Sequence, residues 1–266
     1  MIKWSLKTRI SVALKRLKRR MQTGIPFLYA TEKSDNLPVR LKYHKSLLLR
    51  TLEGVDMTLQ HNKVVNLTLA GKQIDNIIIK PGQIFSLWKL VGEPTQKKGY
   101  LPGLIIAGTG IDSDIGGGLC QMANMLFWLS LHSPLTVVER HYHSLDLFPD
   151  NKRQVPFGTG CSIFYNYVDL RFKNNSQNTI QFRVWVDDEH LNGEVRVSAD
   201  PGVRYHIKEE NHRFIKDNSG NVYRENVLFR DVVDVSSGNI ISHEKLYENH
   251  AKVMYEVEGI DDRSDR

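Results

Sequence analysis

Three glycines lead into a predicted helix in the segment Ile115-Gly116-Gly117-Gly118-Leu119-Cys120-Gln121-Met122. Apolar residues recur at helical spacing from Cys120 to His132, and Ser133-Pro134 ends the pattern. Leu135 to Arg140 follows as a β-branched strand that carries on toward His143. The sequence therefore predicts a helix that begins at a cysteine and is followed by a strand with a histidine near its end.

The flanking segments predict an α+β protein with N-terminal helices and a late antiparallel sheet. Residues 44–52 and 63–80 have the apolar content of helices. From residue 163 onward, short alternating runs separated by polar turns predict strands. The clearest of these runs are 164–172, 180–186 and 194–197. We expect the cysteine-bearing helix to pack on this sheet, with a β-rich segment at the C-terminus.

Changes in composition divide the 266 residues into four segments. They are a basic amphipathic arm at 1–24, a core domain at 25–200, a small β-rich module at 201–258 and a polar, frayed tail at 259–266. The boundary after the core is placed at Asp200-Pro201-Gly202, because proline and glycine favour turns. A chain of this length can bury a sizeable core.

The charge is concentrated at one end of the chain. The formal net charge is +6, but residues 1–22 contain eight Lys or Arg residues and no acid, which leaves −2 for the remaining residues. The near-neutral body argues against a general nucleic-acid surface. No apolar run approaches the roughly 20 residues of a membrane span, and the N-terminus lacks the apolar region of a secretory signal. We therefore expect a cytoplasmic protein, peripheral at the inner membrane face if its arm binds lipid.

The arm itself has the pattern of an amphipathic helix. Its apolar positions are Ile2, Leu6, Ile10, Leu14, Leu17 and Met21. The stripe could pack on the main domain, which is the favoured interpretation. It could also lie on an anionic membrane surface, which Trp4 and the flanking basic residues suit. Binding to nucleic acid is the least favoured of the three.

The glycine turn places Cys120 where a nucleophile could be activated. Glycines permit positive φ angles and the close approach of a substrate, so Gly116, Gly117 and Gly118 are candidate substrate-binding residues. The N–H groups and positive dipole at a helix start favour a thiolate, which is the reactive form of cysteine. The same N–H groups, together with Gln121, could form an oxyanion site.

A Cys–His site also needs a base and a group that orients the base. His143 follows one helix and one strand after the cysteine and is the candidate base. His141 would lie on the same face if the strand continues, because side chains alternate along a strand. Asp146 is the candidate orienting residue; further candidates are Asp150 and Asp169. This set suits a cysteine-dependent amidohydrolase or acyltransferase that uses no cofactor and no metal.

Other interpretations of these residues stay open. Cys120 could be a small buried hydrophobe beside a purely structural turn. The turn could instead bind an anion or a peptide end in a non-catalytic module. Cys120, His141 and His143 have the ligand types of a zinc site. The P-loop pattern is absent, which argues against nucleotide hydrolysis, and the spacing of Cys120 and Cys161 favours no particular pairing.

Several blocks together resemble the VanW family. They are Lys80–Trp88 (KPGQIFSLW), Ile115–Met122 (IGGGLCQM), Glu139–His143 (ERHYH) and Phe164–Leu170 (FYNYVDL) followed by Lys173–Asn175. The resemblance identifies the core domain as VanW-like. It implies a cell-envelope protein linked to glycopeptide resistance, with a peptidoglycan precursor or related peptide as its partner. It also implies that Gly116–Gly118, Cys120, Gln121 and His143 occupy the family's motif positions.

One position departs from the family pattern. Many members have an aspartate just before the strand that leads to Asp169, and this chain has Gly160 there. If that aspartate orients the histidine elsewhere, its role here is vacant or falls to Asp146 or Asp150. The element order, a helix that starts with the cysteine and a neighbouring strand that carries the histidine, is also similar to the transglutaminase-like and papain-like folds.

Overall fold

The computed structural model describes residues 6–23, 28–49, 56–107, 110–142, 144–147, 149, 154–257 and 261–262. These residues belong to two compact units. The larger unit comprises Met1–His141 and Cys161–Pro201, and the smaller unit comprises Tyr142–Gly160 and Gly202–Arg266. None of the helices in the described ranges is long and apolar enough to cross a membrane.

The helices are α1 (Leu6–Thr23), α2 (Met57–Ile74), α3 (Leu87–Val91) and α4 (Cys120–Leu131). The strands of the larger unit are β1 (Val39–Leu47), β2 (Ile77–Ile79), β3 (Ile84–Ser86), β4 (Pro102–Ala107), β5 (Gly110–Ile115), β6 (Leu135–Glu139), β8 (Arg171–Asn174), β9 (Ile180–Val186) and β10 (His190–Val197). Those of the smaller unit are β7 (Leu145–Asp146), β11 (Val203–Lys216), β12 (Val222–Asp234), β13 (Ile240–Val253) and β14 (Asp261–Asp262).

A four-stranded antiparallel sheet with the order β1-β10-β9-β2 organises the larger unit, and α2 and α4 pack on it. Gly193 of β10 makes the close approach of α4 possible. A Cβ atom at this position would lie 2.8 Å from both Leu129 Cδ1 and Met125 Sδ. The cysteine-bearing helix therefore packs on an antiparallel sheet, as the sequence predicts.

A second sheet with the order β3-β8-β6 and the β4–β5 hairpin complete the larger unit. Three phenylalanines join the two sheets in the core. The ring centroid of Phe85 lies 5.5 Å from that of Phe172 and 5.4 Å from that of Phe182. All three side chains are fully buried, which makes them a main apolar contribution to this core.

The smaller unit is a sheet with the order β14-β11-β12-β13-β7. Strands β11, β12 and β13 are long and antiparallel, and β7 adds to β13 in parallel. Strand β11 contains a bulge between Glu210 and Arg213, where Asn211 has a φ of 55°. Residues 142–160 belong to this compact unit together with the C-terminal strands.

The mixed α+β class is confirmed, and so are the helix from Cys120 and the strand at 180–186. The helix expected over 44–52 is wrong, because residues up to Leu47 pair with β10 as strand β1. The helix expected over 63–80 ends at Ile74, and the β-branched Ile77–Ile79 pairs with β9. The strand expected over 164–172 contains a turn at 165–167, and only its end belongs to β8.

Candidate functional site

The glycine turn links the β4–β5 hairpin to α4. Gly116 and Gly118 have φ angles of 79° and 89°, which residues with a side chain rarely adopt. Gly116 N donates to Leu101 O at 3.0 Å, and Gly117 N donates to Asp114 O at 2.9 Å. The turn therefore continues the hydrogen bonding of the hairpin up to the start of the helix.

Gly117 is required by a close approach of two backbones. A Cβ atom on Gly117 would lie 1.9 Å from Gly103 O in β4, and one on Gly103 would lie 2.4 Å from Gly117 O. Asn66 of α2 fixes this contact, because its Nδ2 donates to Gly117 O at 2.9 Å and to Leu101 O at 3.0 Å. On the far side, a Cβ atom at Gly118 would meet Lys63 Cγ at 2.2 Å. The turn is thus closely packed by neighbouring protein atoms.

Cys120 is the first residue of α4 and is half-buried. Burial raises the pKa of its thiol, although N–H groups of Ile163 and of Cys120 itself bond to the sulfur and act in the opposite direction. We expected the helix start to favour the thiolate, and this expectation is wrong in direction. Desolvation of the sulfur outweighs the two N–H groups, so the neutral thiol is the favoured form at neutral pH.

The second cysteine lies within electrostatic reach of the first. Cys161 is buried, and burial raises the pKa of its thiol to about 12 against the lowering effect of the Arg140 guanidinium. The charge on Cys120 contributes to this shift, so the two sulfurs are within electrostatic reach. Cys161 N also donates to Oδ1 of Asn124, one turn along α4, at 2.7 Å. Both cysteines are free thiols, and only the tertiary structure brings them together.

Gln121 ties the start of α4 to strand β1. Its Nε2 donates to Ser46 Oγ and to Leu47 O, both at 2.9 Å. A side-chain amide has two N–H hydrogens, so both are engaged by these acceptors. The residue proposed as an oxyanion donor therefore holds the helix against the sheet.

The histidine expectations have a mixed outcome. Strand β6 ends at Glu139, and His141 makes only an isolated bridge with Ser162, whose N–H donates to His141 O at 2.8 Å. The His141 side chain is half-exposed, with its Nε2 at 3.6 Å from Glu139 Oε1. His143 and Asp150 lie outside the described residues.

Asp146 lies in β7 of the smaller unit, whereas Cys120 belongs to the larger unit. Its carboxylate is buried and accepts from Arg224 Nη1 at 3.2 Å and from the Tyr255 hydroxyl at 2.9 Å. A buried carboxylate needs such partners, because an uncompensated charge in the interior is costly. Arg224 and Tyr255 are the partners that this arrangement gives it.

Asp169 joins two of the sequence blocks in the interior. Ser86 Oγ donates to its Oδ2 at 2.6 Å, and Trp88 N donates to its Oδ1 at 3.1 Å. Burial raises its pKa to about 6, and the Ser86 hydrogen bond opposes that shift. Because these donors lie at the start of α3, Asp169 links the FSLW block to the FYNYVDL block.

Sequence reasoning missed the role of Glu139. Its carboxylate accepts from both terminal nitrogens of Arg19, and its Oε1 also accepts from Asp169 N at 3.0 Å. Burial alone would raise the pKa of Glu139, but the hydrogen bonds from Arg19 and Asp169 lower it overall. The available signal was an acid that ends a β-branched strand, in a chain whose arm is purely basic.

No metal-binding cluster of three or more His, Cys, Asp or Glu residues occurs among the residues that the structure describes. The zinc alternative needs His143, which lies outside them. Within the described residues the site consists of Cys120 at the start of α4, the packed glycine turn before it, and Cys161 within electrostatic reach.

The family model described as "VanW like protein" matches residues 62–196, which include both cysteines and the glycine turn. The chain belongs to the VanW-like family. It is 36% identical over 202 residues to the vancomycin B-type resistance protein VanW of Enterococcus faecalis, covering 76% of this chain and 73% of that protein. It is 31% identical over 118 residues to the uncharacterized protein YoaR of Bacillus subtilis, covering 44% of this chain and 37% of that protein. No solved structure matches this VanW-like chain.

Proposed function

We propose that this VanW-like protein acts in glycopeptide resistance at the cell envelope, as a cysteine-dependent enzyme on an amide bond of a peptidoglycan precursor. The name and the 36% identity of the enterococcal relative support the resistance link. The observation that carries the chemistry is the position of Cys120, at the start of α4, with the N–H groups of Ile163 and of Cys120 itself on its sulfur. The reaction takes place at the inner face of the cytoplasmic membrane.

The raised pKa of the Cys120 thiol determines the order of the proton transfers. The resting nucleophile is a neutral thiol, so a base must remove its proton as the sulfur attacks. His143 takes that proton, and a carbon–sulfur bond forms at the substrate carbonyl. The tetrahedral oxyanion then collapses, and the leaving amine takes the proton from the imidazolium. Water or a second amine finally attacks the thioester, which releases the acyl group and restores the thiol.

The remaining site residues bind and orient in this proposal. The N–H groups of Gly116 and Gly117 are bonded within the hairpin, so those of Gly118 and Leu119, just before α4, are the proposed donors to the developing oxyanion. Asp146, three residues from His143 in the chain, is the proposed orienting group, and this role requires it to exchange Arg224 or Tyr255 for the imidazole. Gln121 and His141 line the approach to the sulfur. The helix-then-strand order of α4 and β6 is that of transglutaminase-like and papain-like enzymes, but β6 ends at Glu139, before both histidines.

The first test compares peptidoglycan precursors in cells that carry the wild type, Cys120→Ala or His143→Ala. We expect each variant to lose the change in precursor composition and the resistance phenotype. Cys161→Ala is the matched control, because it removes the neighbouring buried thiol. Protein levels are compared by immunoblot. Precursors that stay the same in Cys120→Ala cells as in wild-type cells would contradict the proposal.

The second test measures the rate of Cys120 alkylation by iodoacetamide against pH, in a Cys161→Ala background. Because burial raises the pKa of Cys120, we expect the alkylation rate to keep rising with pH beyond about 8.5, the ordinary pKa of a cysteine thiol. His143→Ala should leave this titration in place while it abolishes turnover. A rate that levels off near neutral pH, and only when His143 is present, would indicate a resting ion pair instead.

A non-catalytic binding module is the second candidate function. The raised pKa of the Cys120 thiol favours it, because a desolvated neutral thiol can pack in the interior without reacting. In that case the Cys120→Ser variant, which keeps the size and polarity of the side chain, should still bind the stem peptide, as measured by calorimetry. Cells that carry this variant should also remain resistant. An enzyme loses turnover and resistance in the same variant, so this substitution separates the two functions.

A further inference from the structure

Helix α1 exposes its apolar stripe. Ile10, Leu14, Leu17 and Met21 are 53%, 62%, 57% and 74% exposed, respectively. With 3.6 residues per turn, these four residues fall within about 60° of one another around the helix. The sequence favoured packing of this stripe on the main domain, and that interpretation is wrong for these four side chains.

The opposite face of α1 contacts the rest of the larger unit. Val12 is 4% exposed, and the Arg19 guanidinium is bonded to Glu139. The Arg16 guanidinium lies 5.7 Å from the centroid of the Tyr165 ring. Because these contacts use an arginine–carboxylate pair and a cation–π contact, the helix is attached by its polar face.

This attachment fixes the direction of the stripe. Turning Leu14 and Leu17 inward would separate Arg19 from Glu139 and leave a half-buried carboxylate without its main cation. It would also remove the Arg16–Tyr165 contact and expose Val12. The apolar face therefore points away from the larger unit as part of the folded arrangement.

The charge around the stripe selects its partner. Residues 1–22 contain eight basic residues and no acid, and the side chains of Lys7 and Lys18 are exposed beside the stripe. A helix with an apolar face flanked by lysines suits the boundary between anionic headgroups and acyl chains. A second copy of the chain would bring two strongly basic helices together. A nucleic acid would leave the leucines in water.

We propose that α1 docks the protein on an anionic phospholipid bilayer, with Ile10, Leu14, Leu17 and Met21 in the headgroup–acyl boundary. The helix lies in the plane of the interface. The larger unit is carried on the opposite face of α1, through Val12 and the Arg19–Glu139 pair. This surface is independent of the chemistry proposed for Cys120.

The experiment is co-sedimentation of the full chain with vesicles of mixed phosphatidylglycerol and phosphatidylcholine, or of phosphatidylcholine alone. We expect at least about tenfold stronger partitioning to the anionic vesicles at low salt, and a marked loss at high salt. Leu14→Gln with Leu17→Gln should weaken binding about tenfold or more without any change in charge. Lys7→Gln with Lys18→Gln should weaken it about fivefold per charge.

Two matched controls separate the stripe from general effects. Val235→Gln with Ile241→Gln removes two exposed apolar side chains from the smaller unit, and Lys45→Gln with Lys72→Gln removes two exposed lysines elsewhere. Both should bind as the wild type does. A wild type that stays in the supernatant with both lipids would overturn the proposal, as would equal losses in the controls. The proposal would also be overturned if light scattering showed a dimer that the Leu14→Gln, Leu17→Gln variant does not form. Binding to duplex DNA instead of vesicles, unaffected by that variant, would overturn it too.

Discussion

Helices α1 and α4 belong to the same compact unit but are held in opposite ways. Nine of the twelve residues of α4 are buried, whereas Val12 is the buried residue among the described side chains of α1. Apolar packing on β1 and β10 holds α4, and the Arg19–Glu139 pair is prominent among the contacts that hold α1. An apolar stripe therefore does not by itself show which face of a helix contacts the protein.

The largest expected difference between the two helices is in the free energy of unfolding that a leucine-to-alanine substitution removes from each. Leu126 of α4 is fully buried, so Leu126→Ala should lower the free energy of unfolding by about 2–5 kcal/mol. Leu14 of α1 is 62% exposed, so Leu14→Ala should change it by less than about 0.5 kcal/mol. Urea unfolding followed by fluorescence measures both. Equal losses would mean that the α1 stripe is buried in solution.

The next effect is a pH dependence of stability that arises from Asp169. Its backbone N–H donates to Glu139, the partner of Arg19 in α1. Burial raises the pKa of Asp169 to about 6, above an ordinary value of about 3.9, so the folded state favours the neutral carboxyl. Its contribution to stability is fully present below pH 3.9 and is lost as the pH rises through 6. Between pH 4 and pH 7 the ionisation of this group should lower the free energy of unfolding by about 2 kcal/mol.

Asp169→Asn tests this dependence, because it removes the titration and keeps the size of the side chain. The difference in unfolding free energy between wild type and variant should shift by about 2 kcal/mol in favour of the variant as the pH rises from 4 to 7. The exposed Asp188→Asn serves as the control and should follow the wild type. Parallel curves for wild type and Asp169→Asn would show that this carboxyl titrates normally.

The smallest effect is local to α1. Arg19→Gln should weaken the docking of the helix by about 1–2 kcal/mol, which speeds amide hydrogen exchange in α1 about 5- to 30-fold while α4 is unchanged. Lys18→Gln removes the same charge from the same helix at an exposed position and should have no such effect. Unchanged exchange in Arg19→Gln would show that other contacts hold the helix.

The pH dependence of this docking has the opposite sign to that of Asp169. Burial would raise the pKa of Glu139, but the hydrogen bonds from the Arg19 guanidinium and from the backbone N–H of Asp169 lower it overall. Its contribution is therefore present above the ordinary glutamate value of about 4.3 and is lost as the pH falls below that value. Once the exchange rates are divided by the intrinsic rates at each pH, the protection of the α1 amides should fall at acid pH in the wild type and change little further in Arg19→Gln.

The sequence predicted the parts of the fold that have a strong local signal. Helix α4 was found because apolar spacing, a glycine start and Ser133-Pro134 agree on its bounds. Strand β1 was misread as a helix, since its pairing with β10 involves residues about 150 positions away. Such pairing leaves no local pattern, and tertiary contacts override helix propensity.

The candidate site shows the same division. The sequence located the glycine turn and Cys120, because three glycines before a helix are visible in a single chain. It could not foresee that Cys161 would lie within electrostatic reach of Cys120, or that Gly117 would be pressed against Gly103. These contacts depend on how separate segments meet.

By itself the sequence determined the mixed α+β class, the helix that starts at Cys120, the membership of the VanW-like family and the basic amphipathic character of the arm. Each of these is written in local order and composition. Only the tertiary structure decided that the Cys120 thiol has a raised pKa and that α1 turns its apolar stripe outward. Desolvation and ion pairing depend on distances between remote residues, and folding alone sets those distances.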